Sequence, residues 1–165
     1  MHLPTCIALA ALLCAAPASV ASAHEQLLKC VQHATRLHAG KVERLELKLE
    51  RQITVYELEV RRDDGSRWDI ECDASNGVVI ETEESVTATD PRFRPRIRLT
   101  KARAIALAAV PGTVLRVEFE LEPDGNPGYE FHIEGRDGKL HKIEVDGTTG
   151  NVLETAVRLL QIGRD

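Results

Sequence analysis

Residues 128–153 read Gly-Tyr-Glu-Phe-His-Ile-Glu-Gly-Arg-Asp-Gly-Lys-Leu-His-Lys-Ile-Glu-Val-Asp-Gly-Thr-Thr-Gly-Asn-Val-Leu. Two runs of alternating apolar and polar residues flank Asp137-Gly138, the pattern of two strands joined by a tight turn. The register follows from the side chains. A two-residue turn would set Phe131 against Glu144 and bury a charge. A three-residue loop with Gly138 left-handed sets Phe131 against Ile143 and Tyr129 against Val145. The three-residue loop is therefore predicted. Beyond it, Asp146 opens a turn that ends at Gly150, and the short apolar run Val152-Leu153 begins another strand.

The same run occurs earlier in the chain. Laid over Val55 to Glu84 with an offset of 73, it matches at Tyr56/Tyr129, Glu57/Glu130, Asp64/Asp137, Gly65/Gly138, Ile70/Ile143, Glu71/Glu144, Asp73/Asp146, Gly77/Gly150, Val79/Val152, Glu81/Glu154 and Thr82/Thr155. Upstream, an offset of 72 pairs Gly40/Gly112, Val42/Val114, Arg44/Arg116, Glu46/Glu118, Leu49/Leu121 and Glu50/Glu122. Repetition at this period means that each copy is one supersecondary unit. In the first copy the three-residue loop sets Leu58 against Ile70 and Tyr56 against Cys72, so Tyr56, Leu58, Val60, Trp68, Ile70 and Cys72 share an inner face.

Each copy also begins alike. Leu27, Leu28, Val31, Ala34 and Leu37 or His38 recur at helical spacing and stop at Ala39-Gly40. Thr100 is placed to cap a second helix carrying Ala102, Ile105, Ala106 and Ala109, which stops at Pro111-Gly112. A strand follows, with Leu45, Leu47 and Leu49 in one copy and Val117, Phe119 and Leu121 in the other, charged residues standing between them. One face is expected to be buried and the other solvated. The fold class is thus α+β, two repeats, each one helix on a small antiparallel sheet of three to four strands. The expected division is 24–84 and 98–157 for the repeats, 85–97 for a polar linker holding Pro91 and Pro95, and 158–165 for a C-terminal tail.

Residues 1–23 carry no Asp, Glu, Lys or Arg and run from the apolar stretch Ile7 to Ala16 to Ala21-Ser22-Ala23, the layout of a cleavable export signal. The apolar stretch is too short to span a bilayer, which needs roughly 20 residues. Leu12 and Leu13 precede Cys14 where an acylated cysteine would need small residues, so a lipid anchor is not expected. A periplasmic or secreted location follows. The net charge of −5, with both signs interspersed, argues against a nucleic-acid surface. Beyond the signal, Cys30 and Cys72 remain, and their counterparts Ala102 and Val145 are both apolar. An even count in an oxidising compartment predicts a Cys30–Cys72 disulfide, with two buried thiols as the alternative.

The pattern Tyr-Glu, then Asp-Gly, then Glu-Val-Asp-x-x-Thr-Gly-x-Val-Leu resembles the PepSY repeat. The second copy carries it as Gly128-Tyr129-Glu130, Asp137-Gly138 and Ile143 to Leu153. The first departs from it at Cys72 and at Asn76. The resemblance implies a helix packed on a small antiparallel sheet, exported from bacterial cells, without known catalytic residues. It also implies an inhibitory or peptidase-regulating role, a proposal that attaches to the family and not to any residue here.

The residues themselves suggest no chemistry. Asp64, Gly65, Asp73, Gly77, Asp137, Gly138, Asp146 and Gly150 are expected to be structural turn residues, the carboxylates accepting backbone N–H groups and the glycines supplying positive φ. Neither loop offers the six or more oxygens that calcium requires. Strand alternation sends His132 outward beside Lys142 and His141 inward at the position of Trp68, so the two cannot share an ion. No catalytic, cofactor or metal residue is assigned. There is no Gly-x-Ser-x-Gly, no His-Glu-x-x-His, no phosphate loop and no dinucleotide fingerprint. The expected function is a non-enzymatic binding module for a protein or peptide, a peptidase being one candidate, engaged through a sheet edge or outer sheet face. A sensory or metal-stress accessory using His24, His33 or His132 is the alternative. Arg92, Arg94, Arg96, Arg98, Lys101 and Arg103 form a basic cluster, either a solvated linker or a docking surface.

Overall fold

The structure is a computed structural model and describes residues 20–163. The expected export signal lies largely outside the described residues, and its expected end at Ala23 falls within the first helix. The elements are α1 (Val20–Leu37), β1 (Gly40–Glu50), β2 (Ile53–Arg62), β3 (Arg67–Asp73), β4 (Val78–Val86), α2 (Leu99–Ala109), β5 (Gly112–Leu121), β6 (Pro127–Gly135), β7 (Leu140–Asp146) and β8 (Val152–Gly163).

Both hairpins take the register that the side chains dictate. Phe131 faces Ile143 and Tyr129 faces Val145, while Leu58 faces Ile70 and Tyr56 faces Cys72. The loops close through Gly135 N–H to Lys139 O and Arg62 N–H to Ser66 O, with Gly138 and Gly65 at positive φ. Asp146 Oδ1 accepts from the amides of Thr148 and Thr149, Asp73 Oδ1 accepts from the amide of Ser75, and Gly77 and Gly150 take positive φ.

The sheet departs from expectation. In place of two small sheets there is one eight-stranded antiparallel sheet closed into a barrel, every strand pairing with its sequence neighbours and β8 returning to β1. A three- or four-stranded unit would leave two bare edges, and pairing them with the other copy removes both. The segment read as a tail is strand to Gly163, joined to β1 from Arg44↔Gly163 to Glu50↔Ala156. The second seam is weak, with β4 and β5 pairing only at Glu84↔Leu121, Ser85↔Glu120 and Val86↔Phe119.

Closure keeps the apolar face buried under the helices, as expected, and buries the charged face as well. The apolar alternates point out of the barrel and are covered by helices: Cys30 and Ala34 of α1 pack on Leu58, Val60, Ile70 and Cys72, and Ala102 and Ala106 of α2 pack on Phe131, Ile133, Ile143 and Val145. The charged alternates, expected in solvent, point into the barrel. On β1, Glu46 and Lys48 are fully buried whereas Leu49 is 41% exposed. An eight-stranded barrel has an interior just wide enough for side chains to fill it, and here Glu, Lys and Arg fill it.

Smaller corrections follow from packing. Leu28 and Leu37 are exposed, and His38 stacks on Trp68 with ring centroids 3.9 Å apart. Thr100 is inside the first turn of α2, whose N-cap is Arg98 without a side-chain cap. The expected linker is partly strand and partly core. β4 runs to Val86, and Phe93 and Ile97 are buried, Phe93 edge-on to Phe119 and Tyr129 at 5.3 Å each. Tyr129 donates its hydroxyl to Ile97 O at 2.8 Å.

Candidate functional site

Strand alternation brings charged side chains from distant strands face to face. Arg44 on β1 reaches Glu57 of the adjacent β2, Asp69 of β3 and Glu118 of β5 across the interior. Lys142 on β7 contacts Glu57 of β2 at 2.5 Å and Glu130 at 2.9 Å. Lys48 binds Glu71, Glu154 at 2.6 Å and Glu57 at 3.2 Å. His132 Nε2 lies 2.7 Å from both Glu118 and Glu130.

These neighbours set the protonation states. Burial alone would lower the pKa of Lys48 and Lys142, but the carboxylates around them, led by Glu57 for Lys48 and by Glu130 for Lys142, hold both well above the usual lysine range. Burial would also lower His132, yet Glu130 and Glu118 raise it to about 9, so it is imidazolium at neutral pH. Glu57 resists burial because Lys142 and Lys48 pull it down to about 2. Asp69 and Glu154 rise to about 7, burial outweighing Arg44 in the first case and Lys48 in the second.

Towards the weak seam the balance of charge fails. Glu83 on β4, Glu120 on β5 and Glu144 on β7 lie with carboxylate oxygens within 4.8 Å of one another, and Glu81, Glu83 and Glu122 form a second such set. Burial and neighbouring carboxylates, led by Glu120 for Glu83 and by Glu130 for Glu120, push both well above the carboxylate range; burial and the neighbouring Glu122 push Glu144 to about 11. Outside this pocket, beside β5, an open cleft of about 640 Å³ is lined by Glu59, Arg67, Glu84, Ser85, Asp90, Arg92, Arg116, Glu118 and Phe119 among others. Because β4 has ended at Val86, the β5 edge from Gly112 to Glu118 has no strand partner on this side among the described residues.

A family model described as "Peptidase propeptide and YPEB domain" matches the chain twice, at residues 24–83 and 96–156. The chain belongs to the PepSY family. The two PepSY matches coincide with the two copies of the helix-and-meander unit, tandem domains that together make one barrel. A solved structure similar to this chain is that of a protein designated a candidate lipoprotein from Clostridium difficile 630, with 20% identity over 78% of this chain and 90% of that one, at a TM-score of 0.34. No curated protein matches. No helix among the described residues is long and apolar enough to cross a membrane.

The residues singled out from the sequence of this PepSY chain are dispersed. Cys30 and Cys72 are joined, their Cα atoms 5.9 Å apart, pinning α1 to β3. His33 Nδ1 contacts Gly77 O at 3.1 Å, His24 is exposed on α1, and His132 is inside the barrel. These three histidines form no common ligand set among the described residues. His132 does not point outward to solvent as expected, since its strand face is the barrel lumen. His141, on the other face, contacts Asp137 at 3.0 Å. Arg92 of the basic cluster is held by Glu84 and Asp90. The acid pocket was missed because each glutamate, taken alone, looks like a solvated strand residue. The signal lay in the repeat, where Lys48 of one copy aligns with Glu120 of the other.

Proposed function

We propose that this PepSY protein is an exported, non-catalytic binding module that captures an extended segment of a protein partner at the β5 edge beside the seam cleft. The observation that carries this reading is the run Gly112–Glu118, which among the described residues has no strand partner on the seam side and borders the open cleft. An extended peptide gains main-chain hydrogen bonds by adding to such an edge, and the adjoining cleft supplies side-chain selectivity. Arg67, Arg116, Glu84 and Asp90 around the cleft give it charges of both signs. The family's description as a peptidase propeptide makes an exported peptidase the leading partner, held in an inhibited or chaperoned state.

The variant Leu115→Pro tests it. Leu115 sits at the bulge between Val114 and Arg116, where β5 has no β6 partner, so proline removes an N–H there without breaking a β6 pair. The expected result is inhibition or retention of a co-exported peptidase by the native protein, weakened at least tenfold in Leu115→Pro and in Arg116→Glu. Retention of no peptidase on the immobilised protein, or equal retention by both variants, overturns the reading.

A further inference from the structure

We infer that the acid pocket between β4, β5 and β7 is a binding site for a hard divalent cation of the calcium type, seated where the other half of the barrel places the ammonium of Lys48. The inference is independent of the peptide-capture reading.

The internal repeat supplies the comparison. In one half of the barrel, Glu71 and Glu154 close around Lys48 Nζ, with Glu50 beside them. The same positions in the other half are Glu144, Glu81 and Glu122, and the place of Lys48 is taken by Glu120. Ala156 is replaced by Glu83. One half therefore carries its own cation on a tether, and the other has exchanged that cation for a carboxylate and added a further one.

No ion pair among the described residues compensates this exchange. Among the described residues, none of Glu81, Glu83, Glu120, Glu122 and Glu144 has an ion-pair partner, whereas Glu71 and Glu154 both do. Glu83 Oε1, Glu120 Oε2 and Glu144 Oε1 are buried without a hydrogen-bond partner, on side chains in residues only 8%, 2% and 5% exposed. Burying an unpaired carboxylate is costly enough that such groups are paired, protonated or bound to a metal. Space has also been cleared. A Cβ at Gly128 would lie 2.6 Å from Glu144 Oε1, and the first copy has Val55 there.

The donor set selects the ion. All the ligands are carboxylate oxygens, which suit calcium, magnesium and manganese rather than copper or zinc. An oxygen spread within 4.8 Å matches ligands placed around one centre at the roughly 2.3–2.6 Å of calcium. Magnesium keeps several waters and is seldom held by an all-protein cage, which favours calcium. Glu122 lines an open cleft of about 480 Å³ with Leu121, Pro123 and Gly125, a route by which an ion enters the folded protein.

The full chain, stripped with chelator and dialysed, is titrated with calcium chloride and with magnesium chloride by calorimetry, and its thermal midpoint is followed in parallel. The expected result is one calcium per chain, magnesium binding at least tenfold weaker, and a midpoint raised by calcium. Glu120→Lys restores the tethered ammonium, so it should abolish calcium binding and raise the midpoint of the calcium-free protein. Glu83→Ala, which copies Ala156, should weaken calcium at least tenfold and serves if Glu120→Lys does not fold. Silence with both ions to millimolar concentration would show that the carboxyls are protonated instead, and overturns the inference. Undiminished calcium binding in Glu120→Lys or Glu83→Ala overturns it equally.

Discussion

Replacing Lys48 by Met keeps the side chain's length and removes its charge. Lys48 is fully buried and is contacted by Glu71, by Glu154 at 2.6 Å and by Glu57 at 3.2 Å. Removing one partner from a buried ion pair costs about 3–5 kcal/mol, since the other is left charged and dry. Part of that loss is recoverable, because Glu154 already titrates at about 7 and Glu71 well above its ordinary value, burial being the largest cause for both. In the variant they take up protons more readily still. The expected loss is therefore about 3 kcal/mol at pH 8, shrinking at pH 5, where protonation replaces the ammonium. For a domain of this size that is a fall in Tm of roughly 6–12 °C at pH 8. Urea denaturation and calorimetry of native and Lys48→Met protein at both pH values measure it. A loss under about 1 kcal/mol at pH 8, or one that grows towards pH 5, refutes the assignment of the interior as an ionised network.

The double variant Cys30→Ala/Cys72→Val copies the residues of the second repeat; with the cysteines 42 positions apart in sequence, loop closure puts the loss at about 4 kcal/mol, read from urea midpoints with and without reductant. Phe93→Ala should cost about 3–5 kcal/mol in the same assay, because Phe93 packs on Phe119 and Tyr129, whereas an unpacked linker residue would cost almost nothing. Stability should also fall as pH rises. His132 among Glu130, Glu118 and Lys142, Asp69 among Glu57, Arg44, Glu118, Lys142 and Ser85, and Glu154 beside Lys48, Lys142 and Glu130 all have folded pKa values above their unfolded ones, at about 9, 7 and 7. Each contribution is complete below the unfolded pKa and is lost as pH climbs through the folded one. Glu57, depressed to about 2 by Lys142 and Lys48 against the effect of burial, acts oppositely and loses its contribution below pH 4. In chelator, Tm should peak near pH 5 and decline through pH 9, and a flat or rising profile over that range contradicts it.

The hairpin registers were legible because a one-residue slip would have exchanged Phe131 and Ile143 for charged neighbours, so the sequence tolerates one answer. The barrel was not legible. Glu46, Lys48, Glu57 and Glu59 alternate with apolar residues at period two, which is equally the pattern of a solvated sheet face and of a polar lumen. Local periodicity reports that two faces differ and is silent on what covers the second. The missed clue was architectural, since each four-stranded meander ends in strands with nothing beside them. Phe93 and Ile97 were hidden for a different reason. Single apolar residues among arginines and prolines carry no period, and only the groove beside Tyr129 gives them a place to pack.

The unequal seams tie the two proposed sites together. β8 continues to Gly163 and zips to β1, whereas the chain leaves β4 at Val86 and turns through Asp90 and Pro91, leaving three pairs to hold β4 to β5. The weaker seam is where local opening costs least. It is also the side on which Glu83 of β4 lies by Glu120 of β5, and Glu81 and Glu83 by Glu122 just beyond β5, carboxyl groups whose crowding favours opening until something neutralises them. A cation seated there would pull β4 onto β5 and fix the edge that a peptide would extend. Calcium should then change peptide affinity, and by linkage the peptide must change calcium affinity by the same factor. Measuring both factors on the native protein closes the cycle. Equal, non-unit factors would place the two sites on one seam, and affinities indifferent to each other would separate them.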